Sequence, residues 1–224
     1  MPDRPSPSAA GGTELRAVDG RVPGRRGQAT RRRLLDATAD VLATASFRDL
    51  KVIDIAREAA TSPATFYQYF PDVESAVLVL AEEMGEGTAE LAAMVRSGPW
   101  RGRAGFDTAL ELAGRFIDFW EAHRPLLRII ELAAGEGDRR FGRIRAKQLN
   151  EVTVAISEAI QQARGTAASE LDPMATAGVL VAMLAQVASH RYGFEFWGIR
   201  TSDARRSMAH VIYWSVTGRR PPDS

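Results

Sequence analysis

The sequence predicts an all-α protein: a three-helix helix-turn-helix domain at the N-terminus, followed by a larger helical bundle. Three observations carry this. Apolar residues recur at helical spacing along most of the chain after Thr30. Strand signals are nearly absent. Near the N-terminus, two short helical patterns are separated by Thr61-Ser62-Pro63, a break that also starts the second of them.

The bulk properties set the frame. Of 224 residues, 45% are hydrophobic and 25% charged, an ordinary globular composition with chain enough for one large domain or two small ones. There is no cysteine, which excludes disulfides, thiolate metal sites and cysteine nucleophiles. No apolar run approaches the roughly 20 residues that span a bilayer. The N-terminus has basic residues and prolines but no apolar signal-peptide core, so the expected compartment is the cytoplasm.

Residues 1–27 are rich in Pro, Gly, Ser and Arg and read as a disordered basic arm. Between Met1 and Arg33, eight arginines face three acids, so this stretch carries +5 and the remainder −4 of the net +1. A basic arm on a mildly acidic body suits a polyanionic partner, although a solvated tail has the same composition.

The first helix is expected over Thr30–Ala45, with Leu34, Leu35, Thr38, Val41 and Leu42 on one face. Arg31, Arg32 and Arg33 then occupy its opening turn, where positive charge opposes the helix dipole. Such a local inconsistency often marks function. The second helix starts at Val52 and runs to about Ala60. Val52, Ile55, Ala56 and Ala59 form its apolar face, and Lys51, Asp54, Arg57 and Glu58 face outward. Ser62 is a good N-cap and Pro63 suits the first helical position, so the third helix covers Pro63 to about Phe70. Asp72 caps the next.

A single long helix is expected over Val73–Arg96, about 35 Å at a rise of roughly 1.5 Å per residue. Helices follow at about 106–122, 125–134, 139–164, 173–197 and 202–216, separated by Gly-, Pro- and Asp-containing breaks.

The third helix reads SPATFYQYF. Phe66 and Phe70 are i, i+4 partners that anchor it. Thr65, Tyr67, Gln68 and Tyr69 include the outward face, dense in hydrogen-bonding groups. A Gln can bond an adenine edge through two atoms and a Thr methyl can touch a thymine methyl. Tyrosine hydroxyls and helix N-terminal amides bind phosphate. The same face, taken alone, also reads as a solvated helix surface, and the context decides. The string Ile55 to Glu74, IAREAATSPATFYQYFPDVE, resembles the DNA-binding signature of the tetracycline-repressor (TetR) family. The matching features are Ile55-Ala56, the turn Ala60-Thr61-Ser62, Thr65-Phe66-Tyr67 and Tyr69-Phe70-Pro71, with Glu74 following, all without gaps.

The resemblance covers about residues 28–78 and implies roles. Ser62 caps the reading helix. Pro63, Ala64, Thr65, Tyr67 and Gln68 match positions near base edges or the sugar–phosphate wall, and Tyr67 and Tyr69 match phosphate contacts. Arg25, Arg26, Arg31, Arg32 and Arg33 match by region only. Two departures stand out. Ala60 fills a turn position usually held by Gly, costing roughly 1 kcal/mol if φ must be positive. Val73 stands where the family often has a phosphate-facing Lys, with Lys51 or the arginine arm as substitute.

The resemblance also implies a domain order: arm 1–27, helix-turn-helix domain 28–72, and a ligand-binding and dimerisation domain 73–224. The last two helices are the dimerisation candidates, the first ending in the aromatic cluster Tyr192, Phe194, Phe196 and Trp197 and the second carrying Met208, Val211, Ile212, Tyr213 and Trp214, although the same residues also suit the monomer core. Met94, Trp100, Phe106, Phe116, Phe119, Trp120, Leu127 and Ile130 are candidates to line an apolar ligand cavity, with polar contacts from Gln186 and His190. Read residue by residue, the same side chains also suit an ordinary core.

The expected function is a ligand-responsive transcriptional regulator. Its partners are double-stranded palindromic operator DNA, a small hydrophobic effector and a second copy of the chain, with no membrane, metal or cofactor. Two alternatives stay open: a DNA-binder of this type that senses nothing, and an all-helical lipid- or small-molecule-binding protein that never touches DNA. Catalysis has little support, since His123, His190 and His210 lack metal-ligand spacing and no strand-borne phosphate loop occurs.

Overall fold

The computed structural model describes residues 24–44, 49–165 and 171–222. All regular secondary structure among them is helical. Most of the arm expected over residues 1–27 lies outside the described residues, as does Ala45 at the end of the first expected helix. The chain divides into two compact units, Met1–Val79 and Leu80–Ser224.

The first unit holds α1 (Arg25–Thr44), α2 (Val52–Glu58), α3 (Pro63–Tyr69) and the start of α4 (Val73–Glu83). Leu34, Leu35, Thr38 and Leu42 of α1, Ile55 and Ala56 of α2, and Phe66 and Phe70 are buried, and α2 packs against both α1 and α3. Thr38 is satisfied by donating to the Leu34 carbonyl, 2.7 Å.

Helix α1 begins five residues earlier than expected, at Arg25. The correction moves Arg31, Arg32 and Arg33 out of the opening turn and into the body of the helix. Arg25 and Arg26 are the cations that oppose the dipole, and no acid offsets them in that turn. The extra turn is exposed and has no apolar face, so hydrophobic periodicity could not reveal it.

The expected helix over Val73–Arg96 is two helices, because the run breaks at Met84 into α4 and α5 (Gly85–Ser97). The break coincides with Gly85 and Gly87. Gly87 approaches Phe119 so closely that a Cβ there would lie 2.8 Å from the ring. The Gly87 amide bonds the Met84 carbonyl at 3.2 Å, a three-residue span that departs from the α-helical ladder. The 35 Å rod therefore does not exist.

The second unit continues with α6 (Gly102–Ala122), α7 (Arg124–Gly135), α8 (Arg139–Arg164), α9 (Pro173–Glu195) and α10 (Thr201–Thr217). Helix α8 is central, packing against α5, α7, α9 and α10, while α6 packs on α9 and α10. Asp138 and Asp172 cap α8 and α9, accepting from the Arg140 and Ala175 amides at 2.8 and 2.7 Å. Arg164, at the end of α8, donates to the Ser215 carbonyl (2.5 Å) and the Val216 carbonyl (3.4 Å) near the end of α10.

Helix α9 amends the sequence reading in a third way. Its 23 residues are long and apolar enough to cross a membrane by length and composition. Leu180, Val181, Leu184 and Ala188 are buried in the unit. Met174 and Val179 are exposed on the same helix, Val179 by 70%. The apolar character thus serves two faces.

Candidate nucleic-acid interface

The geometry starts at the end of α2. The Ala59 amide closes the last turn on the Ile55 carbonyl at 2.9 Å. The Ala60 amide then bonds the Arg57 carbonyl (3.0 Å) and the Thr61 amide reaches the Ala56 carbonyl (2.8 Å). These two bonds form a Schellman C-cap, which requires a left-handed residue at Ala60. Ala60 has φ 49°, a positive value that no other non-glycine residue shows among the described ones. The sequence-based expectation of strain at this position is therefore met.

One residue later the chain enters α3. Ser62 is extended (φ −101°, ψ 155°), and its Oγ accepts from the Thr65 amide at 3.2 Å. Thr65 Oγ1 lies 3.0 Å from the same oxygen. Thr65 is thereby tied to the cap and only half-exposed. Phe66 is fully buried and Phe70 nearly so, with ring centroids 5.5 Å apart. This anchoring decides what points out. Pro63, Ala64, Tyr67 and Gln68 are exposed, and Tyr69 is half-buried. Positions 63, 64, 67 and 68 are i, i+3 and i+4 neighbours, so they form one outward patch. Ser62 borders it.

The basic residues are less uniform than the sequence implied. Arg32 pairs with Asp36 at 2.6 Å. Arg33 Nη2 donates to Thr30 Oγ1 at 3.4 Å. Arg31 is half-buried, its guanidinium 5.2 Å from the Phe70 ring centroid. Arg57 pairs with Asp54 at 2.8 Å. Lys51 is exposed at the N-cap of α2. The sequence reading passed over Ile53, which is 60% exposed on α2. Its signal was there: it falls off the 52, 55, 56, 59 stripe and is still a large aliphatic residue.

A family model described as "Bacterial regulatory proteins, tetR family" matches residues 34–75. A second, "Tetracyclin repressor-like, C-terminal domain", matches residues 91–223, more than half of the chain. The chain belongs to the TetR family. No curated protein matches it. Solved structures share the TetR fold at low identity. The fatty acid degradation regulator FadR of Bacillus halodurans is 17% identical with a TM-score of 0.64, covering 85% of this chain and 96% of that one. A TetR-family transcriptional regulator of Streptomyces coelicolor is 16% identical with a TM-score of 0.65, covering 85% and 82%. FadR of Bacillus subtilis, solved in complex with stearoyl-CoA, is 16% identical with a TM-score of 0.62, covering 84% and 98%.

Membership makes the protein a DNA-binding transcriptional regulator with a ligand-binding C-terminal domain, in a family of regulators and not of enzymes. Within that TetR domain, Trp100, Phe106, Phe116, Trp120, Leu127 and Ile130 are buried, and Met94 and Phe119 are half-buried. Trp100 satisfies its indole N–H on the Val95 carbonyl at 3.1 Å. Phe106 packs on α10, its centroid 4.8 Å from His210 and 6.1 Å from Tyr213. Gln186 and His190 are exposed, so they do not join the buried set. His190 instead lines a solvent-open groove that holds none of the apolar candidates.

Proposed function

We propose that this TetR-family regulator is a cytoplasmic repressor. It binds a palindromic operator as a homodimer through the α3 patch and releases it when a small hydrophobic molecule enters the C-terminal domain. The observation that carries the reading is the patch itself. Gln68 and Tyr67 stand outward on a capped helix whose opposite side is locked by Phe66 and Phe70. A rigid helix presenting amide and hydroxyl groups suits base and phosphate contacts in a major groove. Ser62 and Thr65 fix its first turn, and Lys51, Arg32 and Arg33 supply phosphate contacts at the sides.

Dimerisation is supported by the outward faces of α9 and α10. Met174, Val179, Val211 and Trp214 are exposed by 47, 70, 44 and 61%. Apolar stripes of this kind on adjacent helices suit burial against a second copy. The effector is assigned to the apolar side chains around Phe116 and Trp120. The stearoyl-CoA bound by the Bacillus subtilis protein of the same fold is in keeping with an apolar ligand.

The test is selection of duplexes from a random pool, followed by titration. Gln68→Ala is expected to cost about 1–3 kcal/mol on the selected duplex and little on random duplex, the mark of a bidentate base contact. Equal losses on both would reduce Gln68 to a backbone contact, and no loss would remove α3 from the interface.

A further inference from the structure

A groove of about 340 Å³ opens at the surface of the C-terminal unit, between the start of α7 and the end of α9. Its walls include Arg124, Arg128, His190, Tyr192, Phe194 and Trp197. We propose that it binds a planar aromatic carboxylate, with the carboxylate on Arg124 and Arg128 and the ring on Trp197.

Arg124 and Arg128 are i, i+4 on α7 and so project from one face. Neither has a carboxylate within ion-pair distance among the described residues. No acid lines the groove. The two guanidiniums line one groove and suit a carboxylate, which accepts N–H bonds from an arginine fork.

Tyr192, Phe194 and Trp197 add an aromatic part to the lining. Trp197 is 68% exposed and stacks on Phe194, with centroids 5.9 Å apart and planes 30° apart. An indole held in plane by a stacked neighbour offers a flat ligand a ready surface, and little side-chain entropy is lost on binding. The site is also held in shape from behind. Tyr192 donates to Glu121 Oε1 at 2.8 Å, and Arg191 pairs with Glu121 Oε2 at 2.8 Å. The Arg124 and Arg191 guanidiniums lie 4.5 and 4.4 Å from the Tyr192 ring centroid. The Tyr192 hydroxyl and the arginines hold the Glu121 carboxyl below its usual range, so it stays ionised and keeps the clamp closed. The negative charge of Glu121 lowers the positive potential that the arginines offer an anion, and a dianion loses twice as much by this as a monoanion. His190 alone is shared with the candidate effector side chains. The proposal stands whether or not the buried cluster takes a ligand.

The probe is 2-naphthoate, titrated into the full chain by calorimetry and tryptophan fluorescence. The expected result is saturable binding of one molecule per protomer. Arg128→Gln and Trp197→Ala should each weaken it roughly tenfold, the scale of one lost charge-assisted or stacking contact. The neutral methyl 2-naphthoate should bind at least as poorly as to Arg128→Gln. Adenosine monophosphate, a planar base with a phosphate dianion, should bind more weakly than 2-naphthoate. Both residues are exposed, and circular dichroism is the check that each variant folds. Absence of saturation at millimolar probe, unchanged affinity in both variants, equal binding of the ester, or tighter binding of the nucleotide overturns the assignment. A shift of either variant from dimer to monomer also overturns it, because the groove would then be a contact between copies.

Discussion

The Arg31 guanidinium lies 5.2 Å from the centroid of the Phe70 ring, so the last residue of the reading segment is clamped by the first helix. Phe70 is itself the C-cap of α3 and is buried against Phe66. One residue of the arginine run thus holds its guanidinium against an α3 ring. A cation–π contact of this partly buried kind is worth about 1 kcal/mol. Arg31→Gln is expected to lower the stability of the N-terminal unit by about that amount. It should leave the slope of log affinity against log salt nearly unchanged. Arg33→Gln and Lys51→Gln should each flatten that slope by about one unit, as loss of a phosphate contact does. A double-mutant cycle with Phe70→Leu checks the origin: coupling near zero would sever the link between the two side chains.

Ala60 is the second constraint on α3. A left-handed L-residue costs roughly 1–2 kcal/mol, while glycine adds about 0.4–1 kcal/mol of unfolded-state entropy. The first exceeds the second. Ala60→Gly is therefore expected to raise stability by about 0.5–1 kcal/mol, read as an upward shift in Tm and denaturant midpoint. The Schellman bonds of Ala60 and Thr61 should survive, so operator affinity should stay within twofold. A lower Tm would show that the alanine methyl makes a packing contact that outweighs the strain.

These two positions show what was legible in the sequence. Ala60 could be read because a turn imposes its own φ, and the cap at Ser62 followed from Pro63 beside it. The bounds of α8, Arg139–Arg164, were readable for the same reason: Asp138 starts the helix and Gly165 stops it, both by local chemistry. The outward patch of α3 was legible because Phe66 and Phe70 fix the helix's rotation. What failed was non-local. Arg31 could not be told from Arg32 or Arg33 until Phe70 was folded against it. The break at Met84 has a local signal in Gly85 and Gly87, but the Phe119 ring that Gly87 approaches belongs to α6. The groove at Arg124 was missed because its two walls are far apart in sequence.

Asp138 makes a pH prediction. Its side chain pairs with Arg140 (2.8 Å) and accepts from the Arg140 amide, and these bonds depress its pKa to about 2. A carboxylate with a lowered folded-state pKa contributes fully above its unfolded value, near 3.9, and loses the contribution as pH falls through about 2. The Tm difference between wild type and Asp138→Ala should hold constant above about pH 5 and shrink between pH 4 and 2. Asp138→Asn, which still caps but cannot ionise, should be nearly flat over that window relative to Asp138→Ala. A Tm difference that persists undiminished at pH 2 would show that the charge plays no part in starting α8.

Gln148 makes the last. It is buried on α8, and its Nε2 donates to the Ala81 carbonyl at 2.7 Å. Ala81 lies in the last turn of α4, where a helix end leaves carbonyls without an intrahelical donor. The amide thus satisfies a buried acceptor just where the expected long helix gives out. Gln148→Met keeps the volume and removes the donor, leaving that carbonyl unsatisfied at a cost of about 1–3 kcal/mol. The loss should be local. Hydrogen exchange is expected to quicken at the amides from Met84 to Thr88 by more than it does across α8, because the break would lose the bond that holds one arrangement of it. Gln148→Glu places a carboxylate against the same carbonyl and should be worse near neutral pH, with recovery as the carboxyl protonates in acid. If Gln148→Met leaves exchange at Met84–Thr88 unchanged, the close approach of Gly87 to Phe119 is enough to hold the break. The Gln148 bond would then only satisfy a carbonyl that the break has already exposed.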